Sequence, residues 1–508
     1  MLIDSHELAD NTIVETDVCI IGAGAAGISI AMEFAGSKTG VCLLESGGLA
    51  LNEEVQSLSS AENRGQPYYP LDQNRQRVFG GATNLWAGWC RLLDDIDFEV
   101  RPWVPYSGWP LKKKDLLPWY EKAHSLCQLN DFDYRLEYWE NRRKMNRLPV
   151  QSDRIETRIY LKSPPTRFGE SYLKDLTRAD NIKVLLNGNL LKFETDEKAA
   201  RVTGALAGCL GGRRFRVRAR HYILAAGGIE NARLLMLSND VNPAGLGNDY
   251  DQTGRYFMEH YFFPAGAIIL NSPESISESL YLPSKEISIA RLFLTRSTQE
   301  EEQILNYCAG IEPAYENSPL RTLARRALKT MRTGSNDFDP LFPFVSKAKR
   351  EPRRKVLRIH HIVEQSPNPE SRVVLSNFKK DALGMRKIEM DWRTSPIDRR
   401  TFQRAIQIIG EEFERNGIGR LTIPSGDNDR EWPPKPLQGL RGHHMGTTRM
   451  SQSPARGVVD ENCRVHKVSN LFIAGSSVFP TAGAGTPTLT IIALALRLAD
   501  HLKKALEA

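Results

Sequence analysis

The sequence predicts an α/β fold in which a helix-covered parallel sheet is interleaved with an α+β unit built on a largely antiparallel sheet. Three observations carry that reading. Val18-Cys19-Ile20-Ile21, a glycine-rich turn, a helical pattern through Phe34 and a second apolar run, Gly40–Leu44, spell strand, turn, helix, strand. Small-residue text of the same kind returns at 222–235 and again at 470–502. From about Gly254 to Leu437 the pattern changes to short β-rich runs separated by polar text. At 508 residues the chain exceeds one ordinary domain, so two are expected.

The opening turn reads Gly22-Ala23-Gly24-Ala25-Ala26-Gly27. Gly22 suits a sharp turn, Gly24 a close approach of backbone to a pyrophosphate, and Gly27 close packing of helix on strand. Ala25 and Ala26 begin the helix, whose free N–H groups and positive dipole end favour phosphate. The second strand ends on Glu45-Ser46, where a carboxylate accepts hydrogen bonds from ribose hydroxyls. A glycine triplet alone also fits an ordinary strand–helix turn. With both strands, the helix and the acid in place, the balance moves to a bound dinucleotide in a Rossmann-like domain. The charge of Glu45 disfavours a 2′-phosphate, which leaves NAD or FAD.

Residues 50–78 read as polar and irregular. Arg77-Val78-Phe79-Gly80-Gly81-Ala82-Thr83-Asn84-Leu85-Trp86-Ala87-Gly88 follows, a glycine-rich stretch suited to lying against a flat ligand. A surface loop is the plainer reading, but Leu85 and Trp86 are poor loop-surface residues. Aromatic and proline-rich text, including Trp103 and Trp109, precedes a helix expected from Lys112 to about Leu129. The runs Ile182–Phe193 and Arg213–Ala226 read as β-strands paired across a Gly211-Gly212 turn. The second delivers Ala225, Ala226 and Gly227 to a helix start, as a second βα unit would.

In the middle region strands are expected at Phe262–Leu270, Ile287–Phe293, Lys355–Gln365, Arg372–Leu375 and Lys387–Trp392, and a helix at Ile397–Asn416. Leu320–Met331 has the spacing of an amphipathic cationic helix, and Lys347–Lys355 is also basic. It suits a membrane surface or a partner, or simply a solvated helix whose Leu face packs inward. Near the C-terminus, Gly442–Met450 carries His443 and His444. A strand at 471–473 leads to Gly475-Ser476, and Thr486-Pro487-Thr488 opens a final helix from Leu489 to Leu502.

The net charge of +7 is mild for this length and does not argue for nucleic acid. The seven cysteines, at 19, 42, 90, 127, 209, 308 and 463, form no metal-spaced pair, so no metal site is expected. Buried free thiols, the absence of a secretion-signal pattern in Met1–Thr16 and of a long apolar run predict a cytoplasmic protein not bound to membrane.

The motifs together resemble the glucose–methanol–choline (GMC) flavin oxidoreductases, within them the branch with pyranose oxidase and bacterial sugar or glycoside dehydrogenases. The resemblance rests on the glycine turn with LLESGG (43–48), RVFGGATNLWAG (77–88), YILAAGGIENARLL (222–235), TGRYFMEH (253–260), HHMGTTRM (443–450) and NLFIAGSSVFPTAGAGTPTLTIIALALRLADHL (470–502), in the family's order. It implies FAD, held by the residues already named together with Leu190, Gly475, Ser476, Thr486, Pro487 and Thr488. It implies an FAD domain from 1–90, 180–255 and 440–508, and a substrate domain from 91–179 and 256–439. Pyranose oxidase bonds its FAD covalently through a His, and the matching position here is Leu85, so non-covalent FAD is expected.

The resemblance also implies the reaction: oxidation of a hydroxyl, secondary rather than primary, on a sugar, glycoside or similar small molecule, with hydride passing to flavin N5. The base matches His443, with His444 as the alternative. The family's second catalytic position, usually Asn, is Thr486 here. That departure leaves a non-redox flavoenzyme, an isomerase or lyase, as the alternative activity. A membrane-docked electron-transfer subunit using the 320–355 segment is a third reading. Whether O₂ or another acceptor takes the electrons, and the oligomeric state, are not readable.

Overall fold

The computed structural model describes residues 1–272, 279–281, 287–314, 353–422, 432–433 and 442–507. The cationic segment from Leu320 and residues 347–352 of the second basic run lie outside the described residues.

A six-stranded, all-parallel sheet runs in the spatial order Leu2–Asp4, Ile182–Leu186, Val41–Leu44, Val18–Ile21, His221–Leu224, Leu471–Ile473. Its central strands, VCII and VCLL, are buried at every position, as continuous apolar runs in a sheet covered on both faces should be. The helices Ala25–Phe34 and Thr488–Glu507 pack on each other against it. Helix Lys113–Leu126 joins this core, with the Tyr120 hydroxyl 2.8 Å from that of Thr490.

Register sets where the site falls. Ile21 stands opposite Leu44 and Leu224, and Leu224 opposite Ile473. Four strands therefore end level, and Gly22, Glu45, Ala225 and Ala474 leave the sheet along one edge. That edge, at the carboxyl ends of parallel strands, is where α/β sheets bind ligands.

The run Ile182–Phe193 is not one strand. It breaks at Asn187-Gly188 into Ile182–Leu186 of the parallel sheet and Asn189–Thr195 of a separate four-stranded sheet. Across Gly211-Gly212, Arg214–Arg218 pairs instead with Val202–Gly208. Two glycines and two alanines in VTGALAG hid that strand from the sequence pattern.

The expected middle-region strands are present, at Tyr261–Leu270, Ser288–Leu294, Arg353–Val363, Arg372–Lys380 and Arg386–Asp391. The first three belong to a seven-stranded antiparallel sheet with Tyr307–Ala314, Gly419–Thr422, Ile155–Lys162 and Trp89–Cys90. The last two pair with each other and with Ala61–Asn63 in a three-stranded sheet. Helix Pro396–Arg415 presses an apolar stripe, Phe402, Ile406, Ile409 and Phe413, into the core beside the seven-stranded sheet. The other face of that sheet carries Tyr160, Ile289, Phe293, Cys308 and Ile362, which pack with Ala484 from the C-terminal loop. This contact brings the antiparallel sheet against the edge where the parallel strands end. All seven cysteines are buried and free.

Candidate active site

The glycine turn has the shape its sequence implies. Gly22 has φ +104°, and a Cβ there would lie 2.5 Å from the Ala225 carbonyl oxygen. A Cβ on Gly27 would sit 1.9 Å from the Gly22 oxygen, so this glycine lets helix and turn touch. A Cβ on Gly24 would meet nothing within 4 Å. Gly24 is also the N-cap of Ala25–Phe34 and offers no side chain to the first-turn N–H groups. The turn after Phe79 folds over this opening: Gly80 N–H donates to Ala23 O at 2.8 Å, and a Cβ on Gly81 would approach Gly24 Cα at 3.1 Å.

Glu45 is buried, and its carboxylate accepts from Ala23 N–H (2.8 Å), Gly47 N–H (3.1 Å) and the Ser46 hydroxyl (3.1 Å). Burial raises its pKa. The acid thus braces the glycine turn, and a carboxylate's four lone-pair sites leave one for a ribose hydroxyl. On the neighbouring strand Ala226 N–H is bound by Asn231 Oδ1 at 2.8 Å, while Gly227, at φ +89°, would place a Cβ in open space. Two open glycine cradles, an uncapped helix and a buried carboxylate fit a dinucleotide such as FAD along this edge.

Not every expected cofactor residue points there. The Arg77 guanidinium is spent on Glu230 (3.1 Å), the Ser59 hydroxyl (2.9 Å) and Asn189 (3.5 Å). Arg75 and Arg233 complete a buried cluster around Glu230, at 3.0 and 3.2 Å. Asn84 bonds back to Phe79 O, and Trp86 donates to Thr166 O at 2.9 Å. Leu85 keeps 50% of its surface exposed beside Ala87, also exposed, and Gly88 turns the chain at φ +80°. Leu190 is buried in the core under the edge.

The two histidines receive different surroundings. His444 is buried between Tyr68 and Phe257, ring centroids 6.1 and 5.7 Å away. Burial, with help from Arg75, pushes its pKa down to about 3. Its carbonyl accepts from the Ser476 hydroxyl at 2.7 Å, which ties the histidine loop to the Gly475 turn. Burial thus holds His444 neutral among these rings. His443 is only partly buried. Its N–H donates to Glu259 Oε1 at 2.8 Å, and its Nδ1 lies 2.9 Å from Nδ1 of His260. His260 Nε2 in turn reaches Gly483 O at 2.8 Å and Ala482 O at 3.3 Å.

Glu259 and His260 were missed as site residues, although both stand at the end of the TGRYFMEH block. They precede the strand Tyr261–Leu270, whose direction carries them to the histidine loop. Glu259 Oε1 also accepts the His260 N–H (3.0 Å), and its Oε2 accepts the Tyr68 hydroxyl (2.7 Å). The 480–486 loop is clamped by an ion pair far off in sequence. Arg101 and Glu364 meet through two 2.7 Å bonds, almost fully buried, and Glu364 also accepts the Gly483 N–H at 3.1 Å. Thr486, at the loop's end, donates its hydroxyl to Trp89 O at 2.6 Å. Thr488 starts the last helix, with Pro487 just before it. Among the described residues no cluster of side chains could hold a metal ion, and no helix is long and apolar enough to cross a membrane.

Comparison with known proteins agrees with this geometry. Residues 367–495 match the family model "GMC oxidoreductase", and residues 17–244 match "FAD dependent oxidoreductase". The chain is 28% identical over 324 residues to the fructose dehydrogenase large subunit of Gluconobacter japonicus, a match covering 63% of this chain and 54%, about half, of that relative. It is 26% identical to the 6'''-hydroxyparomomycin C oxidase of Streptomyces lividus, over 96% of this chain and 92% of the relative. Among solved structures, pyridoxine 4-oxidase from "Mesorbium loti" superposes with a TM-score of 0.57 at 17% identity, over 96% of this chain and 99% of that one, and so shares the fold. The two matched stretches, an FAD dependent oxidoreductase model in the N-terminal half and a GMC oxidoreductase model toward the C-terminus, contribute the paired strands His221–Leu224 and Leu471–Ile473 to one sheet edge, and both models are similar to this chain as flavin-dependent oxidoreductases.

Proposed function

We propose that this protein oxidises a secondary hydroxyl of a sugar, glycoside or similar small molecule to a carbonyl, with His443 as the general base. Bound FAD supplies the hydride acceptor at N5. The observation that carries the reading is the placement of His443. It is held by Glu259 and His260 between the Gly475 turn and the 480–486 loop, both of which leave the carboxyl end of Leu471–Ile473. A partly exposed imidazole at the cofactor edge is placed to take a hydroxyl proton. The names of the two relatives, a fructose dehydrogenase large subunit and a 6'''-hydroxyparomomycin C oxidase, support a sugar-like donor.

The proposed division of labour assigns FAD to 1–90, 180–255 and 440–508, and substrate to 91–179 and 256–439. The parallel sheet, drawn wholly from the first three segments, supports it, while Ala61–Asn63 and Trp89–Cys90 of the first segment pair with strands of the second unit. FAD is held without a covalent bond, because Leu85 stands where the covalent histidine would be. Acid precipitation should therefore leave all flavin in the supernatant.

The test of the function is the visible spectrum of the purified protein under anaerobic conditions. Adding one class of sugar or glycoside should bleach the flavin band and yield a ketone. Bound flavin that no hydroxylated compound reduces would refute the proposal.

A further inference from the structure

We infer that His260 is a positioning residue for His443: the two form a linked pair of imidazoles, anchored by the Gly483 carbonyl, that leaves Nε2 of His443 as the basic atom. This rests on the reading of His443 as base.

The tautomers follow from donor and acceptor chemistry. Gly483 O and Ala482 O, 2.8 and 3.3 Å from His260 Nε2, only accept, so that nitrogen carries the hydrogen. A neutral imidazole has one N–H, which leaves a lone pair on His260 Nδ1. His443 Nδ1, 2.9 Å away, must then donate, and Nε2 of His443 is left unprotonated. Glu259 lies beside the pair and accepts two backbone N–H groups and the Tyr68 hydroxyl, so its carboxylate is the one that faces a charge on either ring. Glu364, across the Gly483 peptide, is committed to Arg101. The neighbouring Asp97 and, beyond His444, Arg75 bond to other partners.

The anchor is rigid. Gly483 sits at φ +59°, and a Cβ there would lie 2.6 Å from Asp97 Oδ2. Its N–H is held by Glu364, which fixes the peptide plane that carries the Ala482 carbonyl, the second acceptor of His260 Nε2. When His443 Nε2 takes a hydroxyl proton, its ring becomes a cation that donates from Nδ1 to His260. Moving that Nδ1 proton across the 2.9 Å contact leaves His443 neutral with hydrogen on Nε2. His260 then carries the charge, with hydrogen on both nitrogens. One proton enters at Nε2, none leaves, and the charge is shared by two rings next to Glu259. The second imidazole thus comes from residue 260, while Thr486, in the usual second position, gives its hydrogen to Trp89.

Histidine-selective ¹⁵N NMR of the FAD-loaded protein tests the tautomers directly, with His443 assigned by loss of its signals in His443→Gln. Expected are an unprotonated Nε2 on His443 and an unprotonated Nδ1 on His260. Anaerobic flavin reduction against pH gives the second readout. In His260→Asn the amide oxygen replaces the Nδ1 acceptor but cannot take a proton, so the rate should fall less than about tenfold and the pH midpoint should drop. His260→Phe removes the acceptor, and the rate should fall about 10²-fold, the lower range for a misplaced base. Hydrogen on Nε2 of His443 in the wild-type protein, or Asn and Phe variants with the wild-type midpoint and rate, would overturn the inference. Undiminished reduction by His443→Gln would instead sink the base assignment while leaving the tautomer result standing.

Discussion

The hydroxyl of Thr486 points its hydrogen at the carbonyl of Trp89, 2.6 Å away, and so ties the start of the last helix to the short strand Trp89–Cys90. A side chain whose only hydrogen is used in this way can accept from a substrate but has none to donate. Thr486→Val should therefore lower flavin reduction by less than about tenfold and cost about 1 kcal/mol of stability for the orphaned carbonyl. His443→Ala should lower reduction by about 10²–10⁴-fold with FAD still bound. Rapid-mixing reduction rates of both variants, beside thermal melts, decide it. A Thr486→Val effect as large as that of His443→Ala would make residue 486 a direct partner in the chemistry.

The glycines of the opening turn separate cofactor binding from folding. Gly24 has room for a Cβ in the protein alone, so Gly24→Ala should leave the flavin-free protein folded while weakening FAD at least tenfold. Gly27→Ala forces a methyl to within 1.9 Å of a backbone oxygen and should destabilise the flavin-free protein itself. Urea unfolding without flavin, paired with flavin titration, reads the two effects apart. Equal loss of stability in both would contradict the assignment of Gly24 to the phosphates.

Acid should unfold the protein through Glu230. Burial opposes its ionisation, but Arg77, Arg233 and Arg75 outweigh burial and bring its pKa down to about 2. A depressed carboxylate contributes stability that is full above its unfolded pKa, near 4.5, and is lost as pH falls toward 2. The shift corresponds to roughly 3 kcal/mol. Glu230→Gln should be less stable than the wild type at pH 7, and the difference should shrink on going to pH 3. Urea midpoints at the two pH values check this, and a constant difference would show that the arginines do not act through its charge.

What the sequence made legible follows from how local each feature is. The Gly22–Gly27 turn, the strands on either side of it and the final helix are written in adjacent residues, and the structure carries them nearly to the expected boundaries. Val202–Gly208 was missed because its glycines and alanines give no β signal, although pairing on both sides makes it a strand. Arg77 was expected near the cofactor because its neighbours are glycines, but its partner Glu230 lies 153 residues away, and only the fold brings them together. His260 escaped for the same reason. Its partners His443 and Gly483 are distant in the chain, so the block TGRYFMEH marks a family without showing what its last residue touches.

The clamp on the 480–486 loop gives a prediction whose sign is unusual. Arg101 and Glu364 are almost fully buried, and Glu364 spends its remaining lone pairs on the N–H groups of Gly483 and Asn306. Burial opposes ionisation of Glu364, and Arg101 overrides it, holding the pKa below the ordinary value. In the wild type its contribution is thus present above about pH 4.5 and lost in acid. Arg101→Met removes the cation and leaves burial in control, so the pKa of Glu364 should rise above the unfolded value. The folded variant then holds a proton that the unfolded chain releases, and its stability must fall as pH rises through that pKa. The deficit relative to wild type should be small near pH 4 and approach about 3–5 kcal/mol by pH 8, the range for an abandoned buried charge. Urea unfolding across that interval measures it, and a deficit independent of pH would mean that Arg101 acts by packing alone. Because Glu364 also holds Gly483, whose carbonyl holds His260, the same variant should lose flavin-reduction rate as pH rises, in step with its stability.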